Sequence, residues 1–259
     1  MAQATPKYQY LKFERRGPIV QVTLDRPHAA NALNRATIAE LADALSLVKS
    51  DPAVRALVLW GGTGRTFCAG ADLKERRENP GKDWEMRRPL VAMWQQFATL
   101  PKPIVIAANG HAAGGGFELM MLADAVVVSE SAEFWLPEVQ WGGIPGGWGT
   151  QLLPRLVGPV LARWLMLSGT RLDARELIAR GLATHCVEPG RVLECALEVA
   201  QQLAERPATA VACIKEAVWH ALAAGLPTGV DIEDRLLQIA AAAPERQAGL
   251  ERFAKGKSS

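Results

Sequence analysis

Three short apolar runs, V-R-A-L-V-L-W (54–60), I-V-I-A-A-N (104–109) and A-V-V-V-S (125–129), punctuate the first half of the chain. Each is too continuous to be a half-exposed strand and too short for a core helix, so each predicts a strand buried on both faces. Between the first two lies a helical segment at about 84–99, stopped before Pro101-Lys102-Pro103. Between the second and third, Gly114-Gly115-Gly116 opens an apolar helix running to Ala123. The order β, α, β, α, β with short glycine turns predicts a layered α/β core. Upstream, 8–14 and 18–24 alternate and are rich in β-formers, which predicts a hairpin turning at Arg15-Arg16-Gly17. Residues 35–49 place Ile38, Leu41, Ala42, Leu45 and Val48 at helical spacing, and Asp51-Pro52 ends that helix.

The second half is helical from Gly146 onward. Asp173 is an N-cap for A-R-E-L-I-A-R and Gly181 its C-terminal stop. Helices are expected at 190–205, 208–224 and 228–242, with no low-complexity linker before them. The expected organisation is a core over 1–190 and a helical region over 191–259.

Two glycine-rich loops carry the chemistry. F-C-A-G-A-D-L-K (67–74) follows one buried strand through a glycine turn, and N-G-H-A-A-G-G-G-F-E-L (109–119) follows another and opens a helix. Successive glycines let a ligand approach the backbone, and free N–H groups at a helix start carry partial positive charge. One donor from each loop could hold a thioester oxygen as it becomes an enolate. The neighbouring G-G-T-G (61–64) is not a phosphate loop: it has no G-x-x-x-x-G-K-[ST], and Phe67 stands where G-x-G-x-x-G needs its third glycine.

At these residues the chain resembles the crotonase, or enoyl-CoA hydratase/isomerase, superfamily. The resemblance runs through R-P-H-A-A-N-A-L-N (26–34), the two glycine loops, and F-W-L-P-E-V-Q-W-G-G-I-P-G-G-W-G-T-Q (134–151). It implies an α/β fold built as a spiral of repeated β-β-α units, with a C-terminal helical region that assembles trimers or hexamers. Carried onto this sequence, it implies oxyanion donors at the amides of Ala71 and Gly115 and catalytic carboxylates at Glu118 and Glu138. An adenine pocket falls around Ala69, Ala71 and Leu73, phosphate contacts near Arg26, His28 and Lys74, and the acyl side of the cleft at Gly146 and Trp148.

The implied activity is enoyl-CoA hydration: water adds across C2–C3 of an unsaturated thioester, Glu118 polarising the water and Glu138 handling the proton at C2. An enoyl-CoA isomerase, another acyl-CoA lyase or hydrolase, or a non-catalytic member binding CoA or RNA are the alternatives. The RNA-binding kind displays lysines along an early helix, whereas 35–49 holds one basic residue at each end and two acids between. No separate cofactor is expected, because coenzyme A is part of the substrate.

Three departures from the family pattern stand out. Trp148 occupies a glycine position and either shortens the acyl pocket, stacks on an aromatic acyl group, or packs outward. His28 stands where lysine is common, and the tail R-F-A-K-G-K-S-S lacks the family's E-K-R ending.

Bulk properties exclude little but agree. A net charge of +2 without a basic cluster gives no reason to expect nucleic acid. Cys68, Cys186, Cys195 and Cys213 form no C-x-x-C pair and sit in or beside apolar runs, as reduced thiols of a cytoplasmic protein do. No apolar run nears the roughly 18 residues needed to span a bilayer, so no membrane partner is expected. The remaining histidines, His111, His185 and His220, have no metal-ligand spacing.

Overall fold

The computed structural model describes residues 6–254; the first five residues and the last five, including the end of the divergent tail, lie outside them. The hairpin is β1 (Leu11–Arg16) and β2 (Ile19–Leu24), antiparallel, with Arg16 opposite Ile19. Arg15 and Arg16 are therefore strand residues, and the turn is Gly17-Pro18, with Gly17 at φ +59°. Next come α1 (Arg35–Ser50), β3 (Ala56–Trp60), β4 (Thr66–Cys68), α2 (Leu73–Glu78) and α3 (Asp83–Ala98). The middle of the chain supplies β5 (Ile104–Ala108), β6 (His111–Ala113), α4 (Gly115–Met120), β7 (Ala125–Ser129) and β8 (Glu133–Trp135). The remainder is α5 (Gly149–Val157), α6 (Pro159–Ser168), β9 (Leu172–Asp173), α7 (Ala174–Ala179), β10 (His185–Val187), α8 (Val192–Ala204), α9 (Ala208–Ala223), α10 (Leu226–Ala242) and α11 (Pro244–Ala254).

Two sheets result, one ordered β1-β2-β3-β5-β7-β10 and a smaller one ordered β4-β6-β8-β9. The pairs β3/β4, β5/β6 and β7/β8 each give one strand to each sheet, with α2–α3 after the first pair and α4 after the second. That is the spiral of β-β-α units. Beyond the β1–β2 hairpin, the large sheet is parallel throughout. Its inner face, with Leu57, Leu59, Ile104, Ile106, Val126 and Val128, packs on α1, α3 and α4. Its outer face, with Ala56, Val58, Val105, Ala107, Ala125 and Val127, is closed by Val192, Ala196, Ala200 and Ala204 of α8. Burial on both faces is why these strands read as unbroken apolar runs.

α8, which a 190/191 boundary groups with the C-terminal helices, packs on the outer face of the large sheet. Its alanine stripe covers the sheet, and the change of surroundings comes after Ala204. Beyond it, α9 contains no buried residue, and α10 buries only Ile232 and Leu236. Asp173 caps α7 with a full capping box, its carboxylate accepting from the Glu176 amide at 2.8 Å while Glu176 accepts from the Asp173 amide at 3.0 Å.

Candidate active site

The two glycine loops meet at the edge of the small sheet. Ala71 bridges Leu33 through Leu33 N–H to Gly70 O (2.7 Å) and Asp72 N–H to Leu33 O (3.2 Å). In a parallel bridge these groups face one side and those of the residue between face the other, so the Ala71 N–H points away from Leu33. Gly70, at φ +85°, lies so close to the second loop that a Cβ there would sit 2.8 Å from the Gly115 nitrogen. Only a glycine permits both that backbone twist and that approach. Ala71 and Gly115 thus line one cleft, together with Ala69, Leu73, Glu118 and Glu138.

Asp72 fixes the first loop. Its Oδ1 caps α2 through the amides of Lys74 (3.0 Å) and Glu75 (3.1 Å), while its Oδ2 pairs with Arg26 Nη1 at 2.6 Å. These bonds hold its carboxyl below the usual range despite burial. Arg26 also donates to Ala32 O at 3.0 Å and lies over the Tyr10 ring. Its guanidinium is engaged inside the fold with Asp72 and Ala32 and does not line the cleft. His28, on a one-turn 3₁₀ helix (Pro27–Ala29), and Lys74 are exposed, and neither lines the cleft.

Glu118 sits in the first turn of α4 and is only 2% exposed. Its Oε1 accepts from the amides of Gly147 (2.9 Å) and Gly149 (2.8 Å), and its Oε2 from Gly147 at 2.9 Å. Burial pushes its proton affinity up more strongly than these bonds lower it, and the neighbouring charge of Glu138 adds to the rise, taking the pKa to about 7. The 146–149 loop is held in turn by Trp94, fully buried, whose indole N–H donates to Gly147 O at 2.6 Å. There is no room for side chains here: a Cβ at Gly147 would stand 2.6 Å from Glu118 Oε2, and one at Gly149 2.7 Å from Oε1. Gly146 lines the cleft and accepts from Arg87.

Glu138 opens a 3₁₀ turn (Glu138–Trp141) on the opposite wall. Its Oε1 crowds Gly114, where a Cβ would lie 2.6 Å away, and its buried Oε2 has no hydrogen-bond partner among the described residues. Burial raises its pKa too. Two carboxyls whose proton affinities are raised by burial, one amide-bound and one whose Oε2 has no hydrogen-bond partner among the described residues, are suited to giving and taking protons.

Trp148 does not line this cleft, and of the three placements open to it the ring takes the outward one. Its backbone is left-handed (φ +72°), and its ring packs against Trp219 of α9 with centroids 5.7 Å apart. There it borders a separate groove with Gln95, Leu152, Leu222 and Ala223. Because Glu118 grips the amides on both sides of residue 148, the intervening side chain is turned outward.

Several cleft residues were not expected from the sequence. Arg76 and Glu75 of α2 and Ile144 of the 142–148 loop line it, the last 76% exposed. Arg76 could have been suspected from the helical repeat, since it lies one turn beyond Asp72. Among the described residues no helix is long and apolar enough to cross a membrane.

Comparison with known proteins gives a consistent picture. The family model described as Enoyl-CoA hydratase/isomerase matches residues 14–258. A probable enoyl-CoA hydratase of Rhizobium meliloti is 39% identical over 246 residues, 95% of each chain. A carnitinyl-CoA dehydratase of Salmonella typhi is 36% identical over 206 residues, 80% of this chain and 78% of that protein. Among solved structures, an enoyl-CoA hydratase from Bacillus anthracis superposes with a TM-score of 0.91 at 32% identity, covering 96% of this chain and 97% of that one.

Proposed function

Because the chain belongs to the enoyl-CoA hydratase/isomerase family, we propose that it is an enoyl-CoA hydratase acting through Glu118 and Glu138. The observation that carries this reading is the double amide grip on Glu118 opposite the unpartnered Oε2 of Glu138, in one cleft. The grip leaves the second lone pair of Glu118 Oε2 available for a water, which adds as hydroxide to C3 of the enoyl thioester. Glu138 supplies the proton to C2. Negative charge gathering on the thioester oxygen meets the amides of Ala71 and Gly115, which need no reorganisation to receive it. The water's second proton passes to the carboxylate side of the pair, so the site ends with the proton count it began with. Ala69 and Leu73 offer backbone to the adenine end, while His28 and Lys74 stand outside the cleft.

The same reading includes self-association. Ile214 and Val218 of α9 and Leu237 and Ile239 of α10 are each more than half exposed, more apolar surface than a monomer's tail ordinarily shows. A trimer, or two trimers together, would cover it.

The test is loss of conjugated-thioester absorbance with crotonyl-CoA. Glu118→Gln and Glu138→Gln should each lower turnover by about 100-fold or more with little change in thioester affinity. If Glu118→Gln keeps nearly full activity while Glu138→Gln is inert, the enzyme moves the double bond, as an isomerase does, and the hydratase reading fails.

A further inference from the structure

Trp148 and Trp219 make a contact that the chemistry just described does not use. Trp219 lies on α9, outside the cleft, and its ring packs on that of Trp148 with planes tilted by 30°. Residue 148 is also the one between the two amides that hold Glu118, Gly147 N–H at 2.9 Å and Gly149 N–H at 2.8 Å. Both glycines are buried, while Trp148 is half-buried with its ring turned outward. A tryptophan keeps a left-handed backbone, here φ +72°, only where its surroundings hold it there. α9 has no buried residue, so particular side chains fasten it to the body. Arg155 of α5 donates to Leu222 O at 2.8 Å and to Gln151 O at 2.6 Å, and Lys215 pairs with Asp124. Arg155, Leu222 and the two tryptophans border one groove, so α9 bears at a single place on α5 and on the loop before it.

We propose that Trp219 is a positioning residue for the Glu118 carboxylate, acting through Trp148. A ring seated on α9 restricts the rotations about residue 148 that would swing the flanking amides away from the carboxylate. Trp94 secures Gly147 by its carbonyl at 2.6 Å; the ring of Trp148, packed on Trp219, secures the next residue. Without Trp219 the left-handed turn loses a contact that holds it, and the loop opens more often. Glu118 then loses the amides that aim it, and a displacement of about 1 Å at a reacting group costs on the order of 100-fold in rate. The helical region that carries the exposed Ile214 and Val218 is thereby tied to the catalytic carboxylate. This inference rests on the hydratase reading for what Glu118 does, and its test is arranged to fail separately.

Amide hydrogen exchange is followed by mass spectrometry on the full-length protein, Trp219→Ala and Trp219→Phe, and crotonyl-CoA hydration is measured on the same three proteins. In Trp219→Ala, peptides covering residues 146–150 should exchange about tenfold faster or more, while those of β5 and β7 stay as protected as in wild type. The kcat should fall about tenfold or more with KM nearly unchanged. The limb of the pH–rate profile that reports Glu118 should move to higher pH, because the two amides lower its proton affinity. The charged groups that act on Glu118, Glu138 and Arg76, lie on the 3₁₀ turn and on α2, which the substitution leaves alone. Trp219→Phe keeps a ring to pack on Trp148 and should restore most of the protection and the rate. Unchanged exchange at 146–150 in Trp219→Ala overturns the proposal. Faster exchange there with kcat and the pH limb unmoved overturns it as well. So does exchange that rises equally through β5 and β7, since Trp219 would then support the fold in general. If wild type hydrates no enoyl thioester, the hydratase reading fails, and the exchange arm alone decides whether Trp219 holds the loop on Glu118.

Discussion

The amide of Gly149 donates to Glu118 Oε1 at 2.8 Å across 31 residues of chain. This bond, with its companion from Gly147, joins the start of α4 to the start of α5 and sets the direction of the Glu118 carboxylate. The placement of Glu118 in the cleft follows from it.

Gly147→Ala should disable the site without unfolding the chain. The added Cβ would meet Glu118 Oε2 at 2.6 Å and the Trp94 ring at 3.0 Å. Either the carboxylate or the loop must shift, at roughly 1–3 kcal/mol of stability and a far larger relative loss of turnover. Thermal unfolding and crotonyl-CoA kinetics on one preparation decide it. Undiminished turnover would mean that the amide grip does not matter to catalysis.

Glu118→Gln should change how stability depends on pH. The pKa of Glu118 rises from 4.5 to about 7 in the folded protein, so folded chains hold its proton where unfolded chains have released it. The stabilisation is complete below the unfolded value and is lost as pH climbs through about 7. Glutamine does not titrate. The variant should therefore gain on wild type between pH 5 and pH 8, by about 2–3 kcal/mol. Urea unfolding at the two pH values tests this, and a difference of the opposite sign would contradict the burial argument.

Trp148→Gly should leave the acyl chain-length profile unaltered, because the ring lies outside the cleft against Trp219. Stability should fall, because the half-buried ring packs on the core as well as on Trp219, and losing that burial outweighs the gain of about 1 kcal/mol that glycine brings to a left-handed backbone at φ +72°. Rates on a series from crotonyl- to dodecenoyl-CoA check the claim. A selective gain on long chains would put the ring in the acyl path after all.

Ile214→Asp combined with Leu237→Asp should reduce the assembly to smaller species in light scattering at micromolar concentration. Both side chains are more than half exposed, so the substitutions do not disturb a monomer's core. A wild-type protein already monomeric there would remove the self-association reading.

The chain's own pattern determined the large sheet and its helices. Leu57–Leu59, Ile104–Ile106 and Val126–Val128 are buried on both faces, and such strands announce themselves as apolar runs whatever surrounds them. The loops at 67–74 and 109–119 were legible for a related reason: glycine at a left-handed or crowded backbone position is demanded locally. The small sheet was not legible. Its strands hold two or three residues each, too few to show a period, and they exist only because the spiral lays them side by side. The packing of α8 was equally hidden, since an alanine stripe fits a sheet or a neighbouring helix equally well. The same limit applies to the site. Glu118 and Glu138 could be singled out, but that Gly147 and Gly149 seize one carboxylate, that Arg26 is spent on Asp72, and that Trp148 faces away are long-range contacts. Side-chain direction in a loop is decided by what the rest of the fold brings against it, and that information is not carried by the residues of the loop.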